Sequence, residues 1–133
     1  MSETIVYIDK SRVKEGCLDD LEAAMTELVA FVDANEPDVQ AYSVYFDEDG
    51  SRMTVVQIHP DADSLAYHMD VAGPKFPPIG AFIELESIDV YGPLSEDLVK
   101  LLEEKASMLG SGRVSIHDLH RGIDRVPVDG AVR

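Results

Sequence analysis

Apolar and polar positions along this chain change period several times, and each change marks an element. Residues 4–9 (TIVYID) are rich in β-branched side chains and predict a strand, followed by a polar connection over 11–16. From Cys17 the spacing turns helical. Leu18, Leu21, Met25, Leu28 and Val32 recur every three or four residues, with Asp19, Asp20 and Glu22 near the positive helix end. This helix is expected to stop near Asn35, because Glu36 precedes Pro37 and a residue before proline avoids helical dihedrals. Strands are predicted over 39–46 and 53–59, joined by a hairpin turn in which Gly50 supplies positive φ.

A second helix is expected after His59. Asp61 caps it, Leu65, Met69 and Ala72 form its buried face, and Gly73-Pro74 ends it, Gly73 by taking a left-handed, positive-φ conformation and Pro74 by barring further helix. The stretch 75–80, with Pro77-Pro78, reads as an irregular loop, and 81–91 as a fourth strand closed by Gly92-Pro93. Ser95 caps a third helix with Leu98, Leu101, Leu102 and Leu109 as its stripe. Gly110-Ser111-Gly112 is expected to end that helix, before a short fifth strand over 113–119 and an aperiodic tail over 121–133.

The order β-α-β-β-α-β with an appended α-β predicts an α+β fold: a ferredoxin-like, split βαβ antiparallel sheet with helices on one face. The divisions are a ferredoxin-like part over 1–92, a helix-strand extension over 93–120 and the tail over 121–133. Both faces of the predicted strands are apolar: Ile5 and Tyr7 against Val6 and Ile8, for instance. Two helices cover one face. The other is expected to meet the same face of a second copy, giving a homodimer. The alternative is a monomer in which the third helix wraps over that second face.

Composition narrows the partners. With 133 residues and 45% hydrophobic content the chain fits one domain with a full core. A net charge of -15 argues against nucleic acid and anionic membranes, both of which need clustered Lys and Arg. The single cysteine, Cys17, excludes an internal disulfide and fits a reducing, cytoplasmic setting. The N-terminal residues lack the basic and apolar regions of a signal peptide, and no apolar run reaches membrane-spanning length.

The candidate chemistry centres on His68, three residues after Leu65 and so on or beside an apolar helical face. Such an imidazole is either a general base or ligand, or a packed histidine with one hydrogen bond, for which Ser64 one turn earlier is the expected partner. His59 sits at a strand end and either shares the cavity mouth or orients the turn. An inward tyrosine can hold a substrate oxygen. His117 and His120 lie i, i+3 on a predicted strand, pointing to opposite faces, so no metal site is expected there.

The element order resembles the dimeric α+β barrel proteins, in particular the antibiotic biosynthesis monooxygenase family. Locally the resemblance lies in Ser64-Leu65-Ala66-Tyr67-His68-Met69 followed by Pro74-Lys75-Phe76, similar to the histidine-bearing helix, small loop and aromatic of that family. It spans 4–91. It implies a protomer that pairs through its sheet, and a monooxygenase that oxidises quinol- or anthrone-like aromatics with O2, without a cofactor. His68 would be the base, with His59, Tyr7, Tyr45, Tyr67 and Phe76 around a small apolar ligand. Haem-degrading members ligate iron through the helix histidine. This chain has no tryptophan and its first strand no asparagine, both of which those members use, so haem is disfavoured and no cofactor is expected. The alternative function is a non-catalytic ligand-binding or structural homodimer.

Overall fold

The computed structural model describes residues 3–126. Its elements are β1 (Ile5–Val13), α1 (Leu18–Asn35), β2 (Ala41–Phe46), β3 (Arg52–His59), α2 (Ala62–Val71), a single 3-10 turn (Gly73–Lys75), α3 (Phe76–Ile79), β4 (Ile83–Tyr91), α4 (Glu96–Leu109) and β5 (Gly110–His117). The five strands form one sheet in the order β2-β3-β1-β4-β5. Neighbours are antiparallel except β4 and β5, which run parallel with α4 as their crossover. This is the expected ferredoxin-like α+β arrangement with one strand added at an edge.

Strict alternation sorts the faces. On β1, Ile5, Tyr7, Asp9, Ser11 and Val13 are buried, while Lys10 and Arg12 are exposed. On β3, Met53, Val55, Gln57 and His59 share the buried face, and the register sets Tyr7 opposite Gln57 and Asp9 opposite Val55. A bulge at Glu86, between the pairs Ser11–Leu85 and Lys10–Ser87, shifts the parity of β4. Ile83 and Leu85 before it and Ile88 and Val90 after it thereby all face the helices. Without the extra residue, one of these pairs would turn to the opposite face.

The helices sit where their apolar stripes dictate. Leu21, Met25, Leu28 and Val32 of α1 are buried. Asp61 caps α2 by accepting the Ser64 N–H at 2.9 Å, and Ser95 caps α4 by accepting the Leu98 N–H at 3.2 Å. Helix α4 packs on the same face as the others, as the bond from its Lys105 to Tyr7 of β1 shows. The wrapped monomer is thereby overturned. Val6 and Ile8 stay half-buried on the open face, opposite Ile58 and Val56.

Four local expectations are corrected. Strand β1 runs on to Val13, because Ser11 and Val13 continue the buried alternation through what looked like a polar connection. Residues 75–80 are not irregular. Pro77 and Pro78 fall in the first turn of α3, where the missing N–H has no intrahelical partner anyway. Gly73 does not adopt positive φ; it opens the 3-10 turn. Gly110 and Gly112 begin β5 rather than merely ending the helix. A Cβ at position 110 would lie 2.4 Å from the Leu85 nitrogen, so only glycine lets β5 enter beside β4.

Of the expected tail, 121–126 lie near the start of β1, where Thr4 Oγ1 donates to the Asp124 carboxylate. Residues 127–133 fall outside the described part. Among the described residues, no helix is long and apolar enough to cross a membrane.

Candidate active site

Between the sheet and the helices lies a polar cluster inside an otherwise apolar core. Its first half is built around His68, which is fully buried. The imidazole Nδ1 lies 2.9 Å from both carboxylate oxygens of Glu36. Pro37 forces Glu36 out of helical dihedrals, to φ -125° and ψ 82°, and its side chain turns into the core instead of continuing α1. A carboxylate only accepts, so Nδ1 carries the proton and Nε2 carries the lone pair.

The rest of the network agrees with that tautomer. His59 Nε2 donates to the Gln57 carbonyl oxygen at 2.8 Å, and Ser64 Oγ donates to His59 Nδ1 at 2.7 Å. The Gln57 amide nitrogen is then left facing His68 Nε2 at 3.5 Å, a long and weak contact. Ser64 therefore serves His59, and the expected Ser64–His68 bond is replaced by Glu36–His68. Burial pushes the His59 pKa down to about 3, with the neighbouring His68 adding to the effect. Burial also lowers His68, against the Glu36 hydrogen bond, which raises it. Both imidazoles are thus neutral near pH 7.

The second half is Tyr7, Asp9 and Lys105. Tyr7 Oη donates to Asp9 Oδ2 at 2.6 Å and accepts from Lys105 Nζ at 2.8 Å. The Lys105 ammonium also lies 4.3 Å from the Phe76 ring centre and 4.9 Å from that of Tyr7. Burial raises Asp9 and lowers Lys105; each opposes the shift of the other. Burial, and then the Asp9 carboxylate, raise Tyr7 well above the usual phenol range. Asp9, Ser11, Tyr42, Phe76 and Lys105 line a small cavity of about 20 Å³, room for one water-sized group. His68 packs against two of its walls, with ring centres 5.3 Å from Tyr42 and 5.6 Å from Phe76.

Of the residues singled out in the sequence, His68, His59, Tyr7 and Phe76 converge here. Tyr45 and Tyr67 do not. Tyr45 is 57% exposed on the open sheet face and Tyr67 is 49% exposed on α2. His117 stacks on Tyr91 and bonds Asp89 at the sheet edge. Among the described residues, no three His, Cys, Asp or Glu side chains converge as a metal site. The cavity holds one small group, and His68 Nε2 faces an amide.

Asp9, Glu36, Gln57 and Lys105 are not singled out as site residues by the sequence alone. Two of them left a signal. Asp9 breaks the apolar alternation of β1 on its core face. Lys105 falls seven residues after Leu98 and three after Leu102, inside the buried stripe of α4.

No family profile and no curated sequence matches the chain. Its likeness is structural. MupZ from Pseudomonas fluorescens superposes with TM-score 0.74 at 20% identity, over 94% of this chain and 91% of its own. SnoaB from Streptomyces nogalater, a cofactor-independent oxygenase, gives 0.60 at 14% identity over 71% and 96%. A Caulobacter crescentus protein, provisionally assigned as an antibiotic biosynthesis monooxygenase, gives 0.62 at 18% identity over 71% and 92%. The chain has the fold of the antibiotic biosynthesis monooxygenases.

Proposed function

We propose that this protein is a small monooxygenase that oxidises a quinol- or anthrone-like aromatic with O2, and that His68 is its general base. The observation that carries this reading is the buried Glu36–His68 pair. The carboxylate holds Nδ1–H from two oxygens at 2.9 Å, and the base atom Nε2 keeps only a 3.5 Å contact. An imidazole fixed in this tautomer, and kept neutral by burial, is ready to accept a proton. The shared fold with SnoaB supports the reaction class.

In this scheme His68 Nε2 takes a proton from an activated CH2 or hydroxyl of the substrate. The resulting carbanion passes one electron to O2, and the radical pair joins as a hydroperoxide. Loss of water leaves a carbonyl where the CH2 stood, so that R2CH2 and O2 give R2CO and H2O. Glu36 holds the imidazolium formed in the first step. No cofactor enters this balance. An aromatic ring needs more room than the present cavity holds, so Phe76 on the short α3 has to move for substrate to reach His68.

The test is oxygen uptake by the purified chain with an anthrone or a dihydroxynaphthalene as probe. His68→Ala is expected to lower the rate by about 10²-fold or more, with the circular dichroism spectrum unchanged. Full activity in that variant removes His68 from the mechanism. A second reading, a closed structural or ligand-holding homodimer, is favoured by the small cavity. Absence of oxygen uptake with every probe selects it. Under either reading the open sheet face, centred on Val6, Ile8, Val56 and Ile58, is the surface for a second copy.

A further inference from the structure

We propose that Lys105 and Ser11 form a binding site for an ionised ligand oxygen, a phenolate or enolate, in the cavity between β1 and α4. The identity of that oxygen rests on the aromatic substrate class proposed above; the site itself rests on four observations.

First, Lys105 occupies a position that α4 otherwise reserves for apolar residues. Leu98, Leu102, Ala106 and Leu109 complete the stripe, and Lys105 is only 5% exposed. A lysine placed there for structure alone would be expected to have every N–H bonded. It does not. Nζ donates to Tyr7 Oη at 2.8 Å and forms an ion pair with Asp9, whose Oδ2 at 3.8 Å is too far for a well-formed direct hydrogen bond. Its other close neighbours are the faces of the Phe76 and Tyr7 rings.

Second, the nearest carboxylate is already committed. Asp9 Oδ2 accepts from Tyr7 at 2.6 Å, so Tyr7 stands between acid and ammonium and holds them apart. Third, Ser11 follows Tyr7 and Asp9 on the same face of β1. It is fully buried, and its hydroxyl has no hydrogen-bond partner among the described residues. Fourth, Lys105, Ser11 and Asp9 line one cavity of about 20 Å³, the size of a single oxygen with its hydrogens. An ammonium with spare N–H groups and a hydroxyl with a spare O–H form a donor pair for one anionic oxygen. A positive charge at this place also stabilises the negative charge that develops when His68 takes the proton from the substrate.

The test uses 4-nitrophenol, whose phenolate absorbs in the visible, with nitrobenzene as the neutral analogue. Wild-type protein is expected to bind the phenolate in preference to the phenol, lowering the apparent pKa of the bound probe. Lys105→Met is expected to weaken phenolate binding by about tenfold or more while nitrobenzene binds as before. Lys105→Arg is expected to restore part of the preference, and Ser11→Ala to remove a smaller part. Thermal melts establish that each variant is folded. Equal phenolate binding by wild type and Lys105→Met overturns the proposal, as does a wild type with no preference for the phenolate. The outcome is separable from the oxygenase reading. Lys105-dependent phenolate binding without oxygen uptake keeps the site and removes the oxygenase. Oxygen uptake with Lys105-independent binding does the reverse.

Discussion

The fate of single side chains here is set by what they give up on leaving water. His68 and His59 lose their charge, since a buried imidazolium costs more than the network returns. For His68 this has a kinetic consequence. The base form is the neutral one, and burial followed by the Lys105 charge lowers its pKa while Glu36 raises it. The acidic limb of kcat/KM is therefore expected below pH ~6.5, the ordinary histidine value. Glu36→Gln removes the raising interaction, so that limb should move to still lower pH as the rate falls. A limb that moves upward in Glu36→Gln would contradict the assignment of Glu36 as the partner.

For His59 the consequence is stability. The folded pKa of about 3 lies below the ~6.5 of the unfolded chain. Between these values the unfolded state binds the proton and the folded state does not. Stability from this group is fully present above pH ~6.5 and is lost as pH falls toward 3. The urea-denaturation gap between wild type and His59→Gln should accordingly be wide at pH 7.5 and narrower at pH 4.5. A gap that stays constant would mean that His59 is protonated in the folded protein. Neither histidine's partner could be read from the chain alone. Glu36 lies 32 residues from His68, and the shorter-range candidate, Ser64, was taken by His59.

At the scale of elements, periodicity did most of the work. Which residues of β1 and β3 share a face, the stripe of α1 and the caps Asp61 and Ser95 are legible, because each depends on neighbours within a few residues. The misses have local physical reasons too. In the sequence Pro77-Pro78 reads as a break, yet proline suits a first helical turn. In the sequence Gly110 reads as a helix stop, yet its other demand is the approach of β5 to β4. Gly110→Ala places a Cβ 2.4 Å from the Leu85 nitrogen and 2.6 Å from its oxygen. Because backbone cannot step aside like a side chain, a loss of about 1–3 kcal/mol is expected by urea denaturation. An unchanged midpoint would show that β5 docks without this close approach.

At the scale of the molecule, the open sheet face is the unresolved demand. Val6 pairs with Ile58 and Ile8 with Val56 at its centre, with the Arg52–Glu86 ion pair beside them. Helix α4 packs on the opposite face, so among the described residues no helix covers that centre. A second copy would bury it against itself, at some expense of repulsion between two chains of net charge -15. Analytical ultracentrifugation should therefore show twice the monomer mass for wild type and the monomer mass for Ile8→Asp. A wild-type monomer at high concentration and moderate salt would remove the dimer.

The sequence by itself determined the order of elements, the two sheet faces and the presence of His68 on a buried helix, because hydrophobic period and capping act over one or two turns of chain. Only the tertiary structure decided which polar groups meet. Tyr7 and Lys105 stand 98 residues apart, and a one-residue bulge in β4 sets which of its side chains face the helices. A contact between distant segments leaves no period in either segment. It shows in the sequence only as a polar residue where the local pattern calls for an apolar one, which is how Asp9 and Lys105 stand out once the fold is known.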